Sequence, residues 1–193
     1  GAGQFDNVGR VIKAQWDNSY EGKILRFKLH GQGGTWIPAT NPQGTASAVY
    51  AKGIRNNQGF AYDPETNKLY GSSHGPFSDD EINIIEKGKN YGHPLVIGYR
   101  ADNNYNNSKA ATPPSILPVI GNENTNATNL GVNYKDPLFS AYPSTQSAIN
   151  VLYNTNPDNA DWPSEALTGM GLWSGSKIPG WKKSILIGSL KWG

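Results

Sequence analysis

The sequence predicts an all-β protein made of short antiparallel strands. Its 193 residues include 23 Gly and 13 Pro, the two strongest punctuators of local structure. Charged residues make up 17% of the chain, and no stretch has the Ala, Leu, Glu and Lys content of a long amphipathic helix. Short apolar runs rich in Ile, Val, Tyr and Phe recur along the chain, each ending in Gly, Asn, Asp or Pro.

Residues 1–10 read as a strand end and its loop, where Gln4, Asp6 and Asn7 carry turn chemistry or contact a polar ligand. Residues 22–29 alternate, with Leu25, Phe27 and Leu29 on one face and Ile24, Arg26 and Lys28 on the other. That pattern predicts a strand with one buried side. A Gly-rich turn at 30–34 and a loop carrying Trp36 lead to a short strand at 48–51. The run 59–64 ends at Asp63-Pro64, 65–67 is a turn, and 68–70 opens the next strand. His74-Gly75-Pro76 lies in a loop, and Asp79-Asp80-Glu81 precedes an apolar strand at 82–85. Asn90-Tyr91-Gly92-His93-Pro94 is a further turn.

From about 101 to 160 the pattern fades. Asn is dense, Pro113-Pro114 interrupts, and apolar residues are sparse, so the segment reads as an irregular Asn-rich insertion. Asn106 and Asn126 head N-x-S/T triplets there. Strand signals return at 168–173 and 184–191, separated by the Ser174-Gly175 turn and a polar stretch.

The chain contains no Cys, which removes disulfide and thiolate chemistry. Net charge is +2 with both signs scattered, so no basic stripe for nucleic acid exists. No apolar run reaches the roughly 18 residues of a membrane span. No signal peptide is visible and Gly1 is not a natural start, so processing or trimming is expected to have removed the beginning.

Four pieces in order are specific: Arg55-Asn56-x-Gln58-Gly59, His74-Gly75-Pro76, Asp80-Glu81-Ile82-Asn83, and Gly88-Lys89-Asn90-Tyr91-Gly92-x-Pro94. Together they resemble the soluble sugar dehydrogenases that use pyrroloquinoline quinone (PQQ), the glucose/aldose/sorbosone dehydrogenase family. The resemblance extends to residues 22–26 and 187–191 and is weak from about 100 to 160.

That resemblance implies part of a six-bladed β-propeller of four-stranded antiparallel blades. The whole chain, 1–193, is then one partial propeller domain. At about 40–50 residues per blade, it supplies four blades at most. The implied activity is oxidation of the anomeric hydroxyl of an aldose sugar to the lactone, with hydride passing to calcium-bound PQQ and then to an external electron acceptor. The implied location is periplasmic or secreted.

The resemblance also implies site residues. Arg55 and Asn56 stand at the cofactor, where a planar, permanently charged guanidinium suits quinone oxygens that gain negative charge. Trp162 and Ser164 line the cofactor cleft, and the Lys191 ammonium pairs with the anionic quinone. The Gly75 and Pro76 carbonyls hold calcium, a hard cation that prefers oxygen. Glu81 and Tyr91 belong to a second, structural calcium, and Asn7 faces the sugar. The expected departure is at 100–102, where the acid sits about one position from its family place. The general-base His is expected upstream of this chain, and none of His30, His74 or His93 sits in its motif.

Plain alternatives accompany each residue: a surface Arg in a turn, a Gly-Pro turn, a solvated acidic run, a core Trp and a strand-end Lys. Alternatives for the whole are a non-catalytic propeller that binds glycans or protein partners, and a lactonase-type calcium propeller that uses Glu81 without a quinone.

Overall fold

The computed structural model describes residues 12–29, 34, 36–108, 120–155 and 158–191. The strands are β1 (Lys23–Leu25), β2 (Val49–Lys52), β3 (Asn57–Asp63), β4 (Lys68–Ser73), β5 (Asp80–Ile85), β6 (Phe139–Ala141), β7 (Leu167–Trp173) and β8 (Ser184–Ser189). The α-helices are α1 (Glu123–Leu130) and α2 (Gln146–Thr155). A four-stranded sheet in the order β3-β4-β5-β6 is flanked by two-stranded sheets, β1-β2 and β7-β8. Every strand pair is antiparallel.

The central sheet follows from its turns. Asp63 closes the β3–β4 turn by accepting from the Glu65 amide at 3.0 Å and the Thr66 hydroxyl at 2.6 Å. Asn67 takes the left-handed conformation that Asn tolerates. Register then pairs Tyr62 with Leu69 and Leu69 with Ile85. Sheet β7-β8 sits close against β3. A Cβ on Gly59 would stand 2.8 Å from the Met170 amide nitrogen and the Thr168 carbonyl oxygen, so only glycine fits there. The Ser72 hydroxyl completes the junction by donating to the Thr168 carbonyl at 2.9 Å.

The first strand corrects the alternation read from residues 22–29. β1 ends at Leu25 after an irregularity between Ile24 and Leu25. Ile24 is the buried residue, whereas Phe27 and Leu29 are 54% and 90% exposed. Beyond Arg26, whose amide still donates to the Ala48 carbonyl at 2.9 Å, the chain turns to pair with Trp36 instead, so the period of two no longer selects a face. In the preceding turn, the Lys23 ammonium donates to the carbonyls of Lys13, Ala14 and Glu21 at 3.1, 2.8 and 2.8 Å.

The Asn-rich region also differs from its irregular reading. Asn122 caps α1, its side-chain oxygen accepting from the Thr125 amide at 3.0 Å. In α2, Ile149, Leu152 and Tyr153 fall at helical spacing and turn toward one core. That core joins Ile12, Ala14, Phe77, Ile97, Tyr105, Ile120 and Ile149. A second cluster holds Ile24, Ala51, Ile54, Ile85 and Tyr91. The N-x-S/T triplets are built into this packing. The Asn126 amide nitrogen donates to the Leu95 and Ile120 carbonyls at 2.8 and 2.5 Å. Ser108 of the other triplet is buried.

Candidate cofactor site

The site grows from the loop between β4 and β5. Gly75 is irreplaceable on steric grounds, because a Cβ there would collide with the Ser78 carbonyl oxygen. Its amide donates to Asp80 Oδ1 at 2.9 Å. Asp80 Oδ2 accepts from the Ser164 hydroxyl at 2.9 Å and from the Glu165 and Ala166 amides at 2.8 Å each. One fully buried carboxylate thus fastens the His-Gly-Pro loop to the turn that leads into β7. His74 reinforces the junction, its Nε2 lying 2.6 Å from the Leu167 carbonyl. That contact makes Nε2 the protonated nitrogen.

Arg55 reaches the same loop, with a guanidinium nitrogen 3.4 Å from the His74 carbonyl. Asn56 joins it through the backbone. Its amide donates to the Ser73 hydroxyl at 3.1 Å and its carbonyl accepts from the His74 amide at 3.1 Å. A small cavity is lined by Arg55, His74, Gly75, Pro76, Glu81, His93 and Ile97. The structure therefore brings Arg55, Gly75, Pro76 and Glu81 to one place. Trp162, Ser164 and Lys191 connect to it by a relay. The Lys191 ammonium donates to the Trp162 carbonyl, which also accepts from the Ser164 amide at 2.8 Å. The Trp162 ring meets Phe77 edge-on at 5.0 Å. Tyr91 sits in the second core cluster with its hydroxyl donating to the Ile84 carbonyl at 2.5 Å, and His93 from the same turn lines the cavity instead. Asn7 lies outside the described residues.

The acidic run is not a solvated face. Asp79 and Asp80 are both 0% exposed. Asp79 accepts from the Ser78 hydroxyl and, at 2.9 Å, from the Ser140 hydroxyl of β6, while burial pushes its carboxyl up to about 6. Glu81 accepts from the Gly98 amide at 3.0 Å and the Asn83 amide at 2.9 Å. Burial outweighs those bonds and raises its carboxyl to about 7. Glu123 at the start of α1 is 0% exposed and accepts from the Ile97 and Tyr105 amides at 2.8 and 2.9 Å. Burial pushes it up to about 7 as well.

The donor set fits a hard cation and an anionic planar group. Neither the Gly75 nor the Pro76 carbonyl accepts a hydrogen bond among the described residues, and Glu81 offers carboxylate oxygen beside them. No group of three or more His, Asp and Glu is gathered for a metal among the described residues, so carbonyl oxygen would be the main ligand. Arg55 in the cavity lining, with Lys191 connected through Trp162, would supply the positive charge that a carboxylate-bearing ligand requires. Asp80 and His93 stand in the sequence motifs, but no site role was assigned to either from sequence. Asp80 sits in a charge run that usually faces water, and nothing in a Gly-His-Pro turn signals burial.

The loops of this antiparallel β scaffold gather a guanidinium, carbonyls that accept no hydrogen bond among the described residues, and buried carboxylates. Residues 3–142 match the model of the family described as glucose/sorbosone dehydrogenase, and the chain belongs to that family. It is 36% identical over 197 residues to quinoprotein glucose dehydrogenase B of Acinetobacter calcoaceticus, covering 91% of this chain and 39% of that protein. It is 30% identical over 202 residues to the aldose sugar dehydrogenase YliI of Escherichia coli, covering 97% of this chain and 43% of that one. A solved structure described as a glucose dehydrogenase superposes with a TM-score of 0.61 at 27% identity, covering 93% of this chain and 40% of its own. The chain thus spans about two fifths of the length of the relatives it matches.

Proposed function

We propose that this chain is the cofactor-side portion of an exported, PQQ-dependent aldose dehydrogenase. The observation that carries the reading is the shared cavity of Arg55, Gly75, Pro76 and Glu81. Family membership and the name of the quinoprotein relative support the same cofactor. The four-stranded sheet is read as one blade of a six-bladed propeller, with the two-stranded sheets as parts of neighbouring blades.

PQQ supplies a hydride acceptor when bound, and calcium acts on it as a Lewis acid. The chain's own residues bind and orient. The Gly75 and Pro76 carbonyls hold calcium, and Asp80 locks their loop in shape through the Gly75 amide. Arg55 and Asn56 would bind the quinone. Trp162, Ser164 and Lys191 would hold it from the β7 side, Lys191 supplying positive charge for its carboxylates. Glu81 and Tyr91 belong to the structural calcium, and Asn7 meets the sugar. The proton of the anomeric hydroxyl is assigned to a base outside these residues. No helix among the described residues is long and apolar enough to cross a membrane, and we place the protein in the periplasm or outside the cell.

The test is reconstitution of the full-length protein with PQQ and calcium. A bound-quinone absorption band and dye reduction with aldoses are expected. Absence of both sinks the reading.

A further inference from the structure

His93 is 3% exposed, yet neither ring nitrogen has a hydrogen-bond partner among the described residues. Leaving both buried nitrogens unmet is costly. The other cavity histidine is tied by its bond to the Leu167 carbonyl, whereas the His93 ring is anchored only through its backbone. The His93 amide donates to the Gly53 carbonyl at 3.0 Å, and its carbonyl accepts from the Gln15 side chain at 2.8 Å. The ring lines the same cavity as Arg55, Glu81 and the Gly75-Pro76 loop. That space has room for about one water molecule.

We propose that His93 is a positioning residue for Arg55, acting through a single buried water that the imidazole holds in this cavity. The chemistry is complementary on every side. Imidazole offers one acceptor and one donor, and the guanidinium offers donors only. A water can accept from Arg55 and donate to the His93 acceptor nitrogen. Its second proton then meets the Glu81 carboxylate. The two to four polar partners that a buried water needs are all present. A second cation on the imidazole is disfavoured, because the Arg55 charge and burial both hold the ring neutral. The water adds a contact to a guanidinium that also reaches the His74 carbonyl at 3.4 Å.

This inference deepens the cofactor reading and rests on it for its functional consequence. The test uses the full-length protein in three forms: unaltered, His93→Gln and His93→Phe. In crystals of the unaltered protein at high resolution, a water is expected within ~3 Å of a His93 ring nitrogen and of the Arg55 guanidinium. Nitrogen-15 spectra of its histidines should report one neutral tautomer with the acceptor nitrogen of His93 hydrogen-bonded. His93→Phe should lose the water and bind PQQ about tenfold more weakly, while His93→Gln, which keeps a donor and an acceptor, stays within about twofold. No water at His93, or equal PQQ affinity in the Phe variant, overturns the proposal. If the unaltered protein takes up no PQQ, the cofactor reading falls, and the water and ring spectra still decide the His93–Arg55 link.

Discussion

The Asp80 carboxylate accepts from the Ser164 hydroxyl at 2.9 Å across 84 residues of sequence. The same carboxylate accepts from Gly75 and from two further amides after Ser164. With both oxygens occupied by donors, an amide in its place must turn an NH2 group toward an N–H or hydroxyl. Asp80→Asn should therefore destabilise the full-length protein by about 1.5–3 kcal/mol. Urea unfolding checks the value, and an unchanged midpoint would show that the link contributes nothing.

Gly75 offers a steric test of the calcium loop. Gly75→Ala must move the backbone at Ser78, at a cost of about 1–3 kcal/mol. In the unaltered full-length protein, calcium at a hundred times its Kd should add about 2.7 kcal/mol, lost on chelation. The Ala variant should show little of that calcium-dependent rise in Tm. A full rise in the variant would move calcium away from these carbonyls.

The proposed role of Arg55 at the cofactor rests on geometry as well as charge. Arg55→Lys keeps the charge and loses the planar fork, so PQQ affinity should fall about tenfold, and Arg55→Ala about a hundredfold. Equilibrium titration of the quinone absorbance gives both numbers. Equal binding by the Lys variant would reduce the role to charge alone.

Glu123 predicts a pH dependence of stability. Its carboxyl moves from the ordinary 4.5 to about 7 on folding, chiefly through burial. Between those values the native state holds a proton that the unfolded chain releases. The contribution of Glu123 to stability is thus greatest below about 4.5 and is lost as pH rises through about 7, by an amount of the order of 3 kcal/mol. Asp79, raised to about 6 by burial, adds a decline of the same sign. Urea unfolding across this range should show Glu123→Gln less sensitive to pH than the unaltered protein. The variant also opposes an amide to the Ile97 or Tyr105 N–H, so it should be less stable at low pH. Parallel pH profiles would rule Glu123 out as the source.

Much of the strand order was legible because turn chemistry is local. Asp63, Asn67 and the run from Asn90 to Pro94 declare their turns within a few residues, and β3, β4, β5, β7 and β8 lie where the apolar runs put them. What failed was whatever depends on distant partners. The face of β1 was misread because beyond Arg26 the chain turns to pair with Trp36. α1 was hidden by Asn and Thr, poor helix formers that this helix offsets with the Asn122 cap and the two amide bonds to Glu123. The motifs put Arg55, Gly75 and Pro76 at the cofactor and Glu81 with Tyr91 at a second calcium; in the fold Glu81 lines one cavity with the first three, whereas Tyr91 sits in the second core cluster. The roles of Asp80 and His93 stayed invisible because burial is a property of the assembled fold.

The fastening of the His-Gly-Pro loop to the segment around Leu167 spans 93 residues at its His74 contact. A ribosome releases the chain from one end, so a nascent polypeptide that has emerged only through β6 has the loop and its Asn56 contact but not Ser164 or Leu167. The loop is therefore fully fastened only once the residues from Ser164 to Leu167 have been made.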